Sequence, residues 1–173
     1  KKQAAMMSQS WGSYFKAHVF VSADTKVAEK FWAPKGNTML PILSDSTLGV
    51  IYDGNRTENS KTKILSLLIA GQDAERFNLM PLDAVRPILT RAFEKLWPGF
   101  SKEIRGMEFY RFHPRAIAGW PVGRSRFDGL SDEIRKPENL VYFAGDFSES
   151  THSSGAFDAA KRVVSQISRK AVE

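Results

Sequence analysis

Cysteine is missing altogether from this 173-residue chain, which removes disulfides, thiolate metal sites and cysteine nucleophiles at once. Histidine is scarce. His18, His113 and His152 stand apart with no His-x-x-x-His pair, so ligand spacing offers no metal site. No apolar run approaches the roughly 20 residues that span a bilayer, and no signal-peptide pattern opens the chain. Nor is charge of one sign massed anywhere. The 25 Lys and Arg are interleaved with 19 Asp and Glu, so a net charge of +6 reads as a solvated mixed surface, and nucleic acid is not expected as a partner. Internal repeats and low-complexity tracts are absent too.

What is present is core-forming material: 42% hydrophobic residues, enough for one domain or two small lobes. The chain opens at Lys1 without an initiator Met and runs almost directly into Tyr14–Ser22, a strand of β-branched and aromatic residues. Such a beginning suits an excised or processed chain, and tag removal would give the same. "TMLPILS" and "TLGVIYD" read as two strands broken at Ser44-Asp45-Ser46; Asp53-Gly54-Asn55 is a turn, and "KTKILSLLIAG" returns as a buried strand. A helix is predicted over 81–97, burying Ile88, Leu89, Ala92, Phe93, Leu96 and Trp97, with Pro87 near its first turn and Pro98-Gly99 as its stop. "KEIRGMEFYRF" is a further strand, while the Pro and Gly of "AGWPVGRSRF" make that stretch irregular. Leu140–Ala144 reads as a short strand buried on both faces. A last helix over 155–170 is expected to bury Ala156, Ala160, Val163, Val164 and Ile167.

The most informative stretch is "LVYFAGDFSESTHSSGAFDAAKRVV": strand, Gly-Asp, polar loop, helix. A carboxylate just past a strand can accept hydrogen bonds from ligand hydroxyls, as acidic residues do for ribose in dinucleotide sites. A helix beginning in Gly-Ala lets a ligand approach free N–H groups where the helix dipole favours negative charge. Residue pattern leaves a plainer alternative open, in which Asp146 and the Ser/Thr residues simply make a turn and a cap.

This stretch resembles the C-terminal FAD-binding segment of the flavin-dependent amine oxidase superfamily, whose members carry a strand ending in Ala-Gly-Glu or Ala-Gly-Asp, a loop, and Gly-Ala opening the last flavin-contacting helix. The resemblance extends upstream through "GSYFKAHVFVSADTKVAEKFW", "ILSLLIAGQDAERFNLMPLDAVRPILTRAFEKLWPG" and "YRFHPRAIAGWPVG". It implies an α+β fold: a mixed sheet with packed helices from a substrate-binding domain over 1–136, and over 137–173 a strand–loop–helix completing a Rossmann-like FAD domain. No GxGxxG fingerprint occurs in the sequence, and the family's flavin-N5 lysine falls before Lys1. The implied partner is therefore an N-terminal FAD-binding segment or subunit of the same oxidase, without which the chain is expected to be inactive.

By the same resemblance, Gly145 and Asp146 lie at the ribityl-phosphate region of FAD, with Asp146 replacing the commoner Glu. Ser154, Gly155 and Ala156 lie beneath the N1/O2 edge of the flavin. Trp120 corresponds to an aromatic of the substrate cage and Tyr110 to an upstream aromatic that supports it; His113, with no family counterpart, reads sooner as a surface or hydrogen-bonded histidine than as a polar pocket residue. Each has a structural alternative; Trp120 before Pro-Val-Gly also reads as a core anchor, and Trp32 and Trp97 read as core. The implied activity is oxidation of a small amine or amino acid by hydride transfer to flavin. The alternatives are a desaturase or protoporphyrinogen-oxidase-like enzyme with a large apolar substrate, and a non-catalytic scaffold that keeps the fold.

Overall fold

A computed structural model of the chain describes residues 1–23, 28–32, 39–55, 62–111 and 115–170. In chain order the regular elements are α1 (Lys2–Met7), β1 (Ser10–Gly12), β2 (Tyr14–Ser22), α2 (Ala28–Phe31), β3 (Ile42–Leu43), β4 (Val50–Asp53), β5 (Thr62–Ala70), α3 (Gly71–Leu79), α4 (Leu82–Leu96), β6 (Ile104–Arg111), β7 (Ile117–Gly119), α5 (Gly129–Arg135) and α6 (Ser153–Lys170). They form two compact units. Ser13–Pro114 is continuous, and it is inserted into a second unit made of Lys1–Gly12 and Arg115–Glu173. The boundary expected at 136/137 lies inside the second unit.

The inserted unit is built on a five-stranded sheet of order β3-β4-β5-β2-β6. Its pairs are all antiparallel, where a mixed sheet was expected. The strands β3, β4 and β5 follow one another in sequence with connections too short for a parallel crossover. Strict alternation in β2 decides which face is the core: Phe15, Ala17, Val19 and Val21 are buried, while Tyr14, Lys16, His18 and Phe20 point the other way. The inner face continues into Leu65, Leu67 and Ile69 of β5 and Ile51 of β4. Ala74 and Phe77 of α3, with Val85, Leu89 and Phe93 of α4, belong to the same core. Each such fully buried side chain contributes about 1.5–3 kcal/mol of transfer free energy.

At the end of α4 the expected stop is an aromatic cluster with an ionic clasp. Phe93 stacks on Phe100 at 4.6 Å, and Phe31 meets Trp97 edge-on at 4.9 Å. The Glu94 carboxylate accepts from the Gly99 N–H (2.7 Å) and the Ser101 N–H (2.9 Å), and these bonds hold its pKa at about 2. Trp32 and Trp97 pack against the core, as expected. Two details of this helix differ from the sequence reading. Leu96 is 40% exposed. Pro87 sits inside the helix rather than in its first turn, so the Asp83 carbonyl lacks its helical donor.

In the split unit, β1 pairs antiparallel with β7 (Trp11 opposite Ala118), joining the two ends of the chain. Lys2 is buried; its ammonium donates to the carbonyls of Glu133 (2.7 Å) and Lys136 at the C-terminal end of α5, where the helix dipole favours a cation. At the other end of α5, Asp128 accepts from the Ser131 N–H at 2.8 Å as N-cap and pairs with Arg124. That arrangement holds its carboxyl well below the usual range, the Arg124 bond first among its causes.

Two expectations fail in this unit. Leu140–Ala144 is no buried strand: its pairing is one isolated bridge, Glu138 to Val141, and Leu140 and Val141 are 78% and 58% exposed. Among the described residues no strand lies beside it to supply a ladder. The last helix does form, from Ser153, but its apolar stripe is open. It buries only Gly155 and Ala159, leaving Ala156, Ala160, Val164 and Ile167 exposed and Val163 half-buried. Nothing among the described residues covers that face.

Candidate functional site

The Gly-Asp pair opens a single 3₁₀ turn, Asp146–Ser148. Gly145 adopts φ +148°, a conformation that disfavours a side chain, and an added Cβ would meet the Phe147 ring at 2.5 Å. Its carbonyl accepts both the N–H (3.1 Å) and the hydroxyl (2.8 Å) of buried Ser148. One Asp146 oxygen accepts from the Phe147 N–H at 2.9 Å. No described residue donates to the other. The carboxylate, half-buried, is thus an acceptor with capacity to spare.

The start of α6 behaves differently from the sequence reading. The N–H groups of Gly155 and Ala156 both donate to the His152 carbonyl, at 2.9 and 3.3 Å. The donors left open are those of Ser153 and Ser154, to which no described group accepts. Gly155 is needed by the chain itself: a Cβ there would fall 2.0 Å from the Ser150 carbonyl oxygen. Ser154 and Ala156 are exposed. The helix therefore presents two N–H groups and its positive dipole end to an anionic ligand edge.

Trp120, just after β7, is half-buried, and its indole N–H donates to Ser131 Oγ at 3.1 Å. Tyr110 lies in the inserted unit, on the sheet face opposite the core. Its hydroxyl donates to Glu108 (2.9 Å), which raises its pKa, and its ring lies 4.9 Å from His18. Register places Glu108, His18, Ser66 and Tyr52 in one row across that face. His18 Nε2 is buried with no hydrogen-bond partner among the described residues, and burial, with Lys16 nearby, lowers its pKa despite Glu108. The row escaped the sequence reading, although alternation along β2 already separates His18 from Phe15 and Val19. His113 lies outside the described residues. In the split unit a further feature sits beside the Gly-Asp turn: an apolar recess of about 140 Å³ lined by Met6, Gln9, Trp11, Ile134 and Phe147. There Gln9 donates to the Phe147 carbonyl at 3.0 Å while its buried Oε1 has no partner among the described residues.

Solved structures share this fold. Cyclohexylamine oxidase from Brevibacterium oxydans IH-35A superposes with a TM-score of 0.75 over 99% of the chain, at 16% identity. Putrescine oxidase with bound putrescine superposes with a TM-score of 0.69 over 96% of the chain, also at 16% identity. The chain has the fold of part of an amine oxidase. It spans 38% and 37% of those two chains. No protein-family model matches the sequence, and neither does any curated protein.

At the Gly-Asp turn and the start of α6 the donors and acceptors suit a ligand that carries hydroxyls and an electron-rich edge. An acceptor with a spare oxygen at Asp146 suits a polyol hydroxyl, and the open N–H groups of Ser153 and Ser154 suit an electron-rich ring edge. Among the described residues no group of three or more His, Asp or Glu could hold a metal ion. No described helix is long and apolar enough to cross a membrane.

Proposed function

We propose that the chain is the C-terminal part of an FAD-dependent amine oxidase of the flavin amine oxidase superfamily. In this reading residues 1–136 belong to its substrate-binding domain and 137–173 complete its FAD-binding domain. The observation that carries it is the match to amine oxidases over essentially the whole chain at a TM-score of 0.75. The open stripe of α6 and the exposed apolar residues Leu140 and Val141 agree with it, because a dinucleotide-binding half would cover them.

Bound FAD would supply the acceptor for hydride from the amine-bearing carbon, with O₂ as reoxidant, giving an imine and hydrogen peroxide. The chain's own residues hold and shape. Asp146 accepts from cofactor hydroxyls, and Gly145 gives the turn its conformation. The start of α6, at Ser153 and Ser154 ahead of Gly155 and Ala156, places positive potential where the flavin becomes electron-rich. Trp120, in the split unit, is the candidate for an apolar wall that positions a small amine and keeps water away, and Tyr110, in the inserted unit, is a separate candidate for that role. Without a partner supplying the dinucleotide-binding half, the chain is inactive.

Two measurements on the purified protein that contains this chain test the reading: its flavin absorbance, and peroxide release across a panel of amines and amino acids. Flavin with amine-dependent peroxide is the expected result. Flavin without peroxide would move the protein to dehydrogenase or desaturase chemistry, and absence of flavin would end the proposal.

A further inference from the structure

We propose that Arg162 is the positioning residue of the cofactor-facing turn, one guanidinium on α6 fixing the backbone of 145–148 and through it the direction of the Asp146 carboxylate. The inference rests on the flavin reading above, but its geometry stands on this chain alone. Arg162 brackets the turn from both sides. Ahead of it, Nη2 donates to the Phe143 carbonyl at 3.0 Å; behind it, Nη2 also donates to Ser148 Oγ (3.1 Å) and Nε to Glu149 Oε1 (2.7 Å). Nη1 reaches the Arg135 carbonyl at 3.0 Å and, more weakly, Gln166 Oε1 at 3.4 Å.

The direction of the chain of bonds matters. Ser148 accepts from Arg162 and donates its own hydroxyl to the Gly145 carbonyl, so the guanidinium acts on the residue immediately before Asp146. The Ser148 carbonyl is held as well, by Arg135 Nε at 2.8 Å, and Arg135 and Arg162 share Glu149. Asp146 itself has only the Phe147 N–H within the described residues, so no side chain steers it directly. Its orientation follows from the turn, and the turn from Arg162. Only a planar fork with several fixed donors can serve Phe143, Ser148, Glu149 and Arg135 together; a lysine ammonium would reach a subset from one point.

The test uses Arg162→Lys and Arg162→Ala in the protein that contains this chain, prepared with FAD. Two quantities are read: hydrogen exchange of the Phe147, Ser148 and Glu149 amides, and the rate of FAD release followed by flavin fluorescence. For Arg162→Lys, both should accelerate roughly tenfold, the scale of one lost charge-assisted hydrogen bond. Millimolar methylguanidinium should slow FAD release from Arg162→Ala back toward the wild-type rate, an effect that repair of general packing would not produce. Unchanged amide exchange in Arg162→Lys overturns the positioning role. So does faster exchange with unaltered FAD release, or a failure of methylguanidinium to rescue. These outcomes leave the flavin reading standing, whereas a wild-type protein that binds no FAD overturns both.

Discussion

Replacing Trp120 tests whether an aromatic that is already anchored also forms a wall of the substrate site. Its indole N–H spends its one donor on Ser131 Oγ at 3.1 Å, and Ser131 in turn bonds the Ser125 carbonyl at 2.7 Å and receives Arg124 at 3.2 Å. Trp120→Phe keeps a ring and removes that bond, which for a neutral pair is worth about 0.5–1.5 kcal/mol. For a chain of this size that lowers the melting temperature by roughly 2–4 °C per kcal/mol. Ser131 keeps its Arg124 donor, so the loss should sit at the lower end. Trp120→Ala removes the ring as well; the side chain is only half-buried, so the cost falls below the ~3–5 kcal/mol of a fully buried Trp. If Trp120 is a wall, the Phe variant turns over almost normally. The Ala variant, with flavin still bound, then loses about a hundredfold in kcat/KM through lost substrate positioning. Melting curves and flavin absorbance beside steady-state kinetics, on one preparation, read all of this. An Ala variant that melts early but turns over normally at low temperature would refute the wall and leave Trp120 as an anchor, with Tyr110 the remaining cage candidate in this chain.

Asp146→Ala should weaken FAD retention by about ten- to a hundredfold, the scale of one charge-assisted bond, while substrate preference is unchanged; equal flavin content after prolonged dialysis would count against its role. Gly155→Ala forces a Cβ into the Ser150 backbone, so the start of α6 must shift; a loss of about 1–3 kcal/mol in thermal melting is expected, and a neutral substitution would contradict that close approach. Glu94 has a folded pKa of about 2, below the ordinary 4.5, so the unfolded chain takes up its proton first as pH falls. Its stabilisation is complete above about pH 4.5 and is lost on the way down to about pH 2; the melting temperature of Glu94→Gln should be flatter across that window than the wild type's. His18 acts in the same direction, but nearer neutrality. Burial lowers its pKa, so the folded state resists protonation and stability falls as pH drops through 6.5, a decline that His18→Gln should abolish in melting curves.

Local patterns told the truth where one element decided its own conformation. The β-branched and aromatic residues of Tyr14–Ser22 gave the strand, and the period of 81–97 gave α4 with Leu89 and Phe93 inside. The reading of Leu140–Ala144 and of the α6 stripe went astray for one reason: apolar residues announce that something should cover them, not that the same chain does. The β1–β7 pairing was illegible because three residues carry little periodicity and the partner lies beyond the whole inserted unit. At the candidate site, the Gly-Asp signal marked the turn, and Gly145's conformation agrees with it. Which N–H groups stay open could not be read, because the His152 carbonyl claims those of Gly155 and Ala156. Arg162 looked like any charge on a helix; its importance lies in Arg135, Phe143, Ser148 and Glu149, which converge on it from outside α6.

The split unit has a consequence for how the chain acquires its structure. Closing β1 onto β7 from an extended chain means closing a loop that contains the entire inserted unit, with a cost that rises with loop length. In the inserted sheet, however, Phe15 pairs with Arg111, so its two exits emerge side by side. Once that sheet has formed, only short tethers separate Gly12 from Ile117, and most of the closure entropy has already been spent. On the ribosome the inserted unit can be completed before residues 115–170 are all available, whereas the split unit waits for the far end of the chain. The order of assembly is thereby set by connectivity: the sheet acts as the staple that lets two segments remote in sequence close into the split unit.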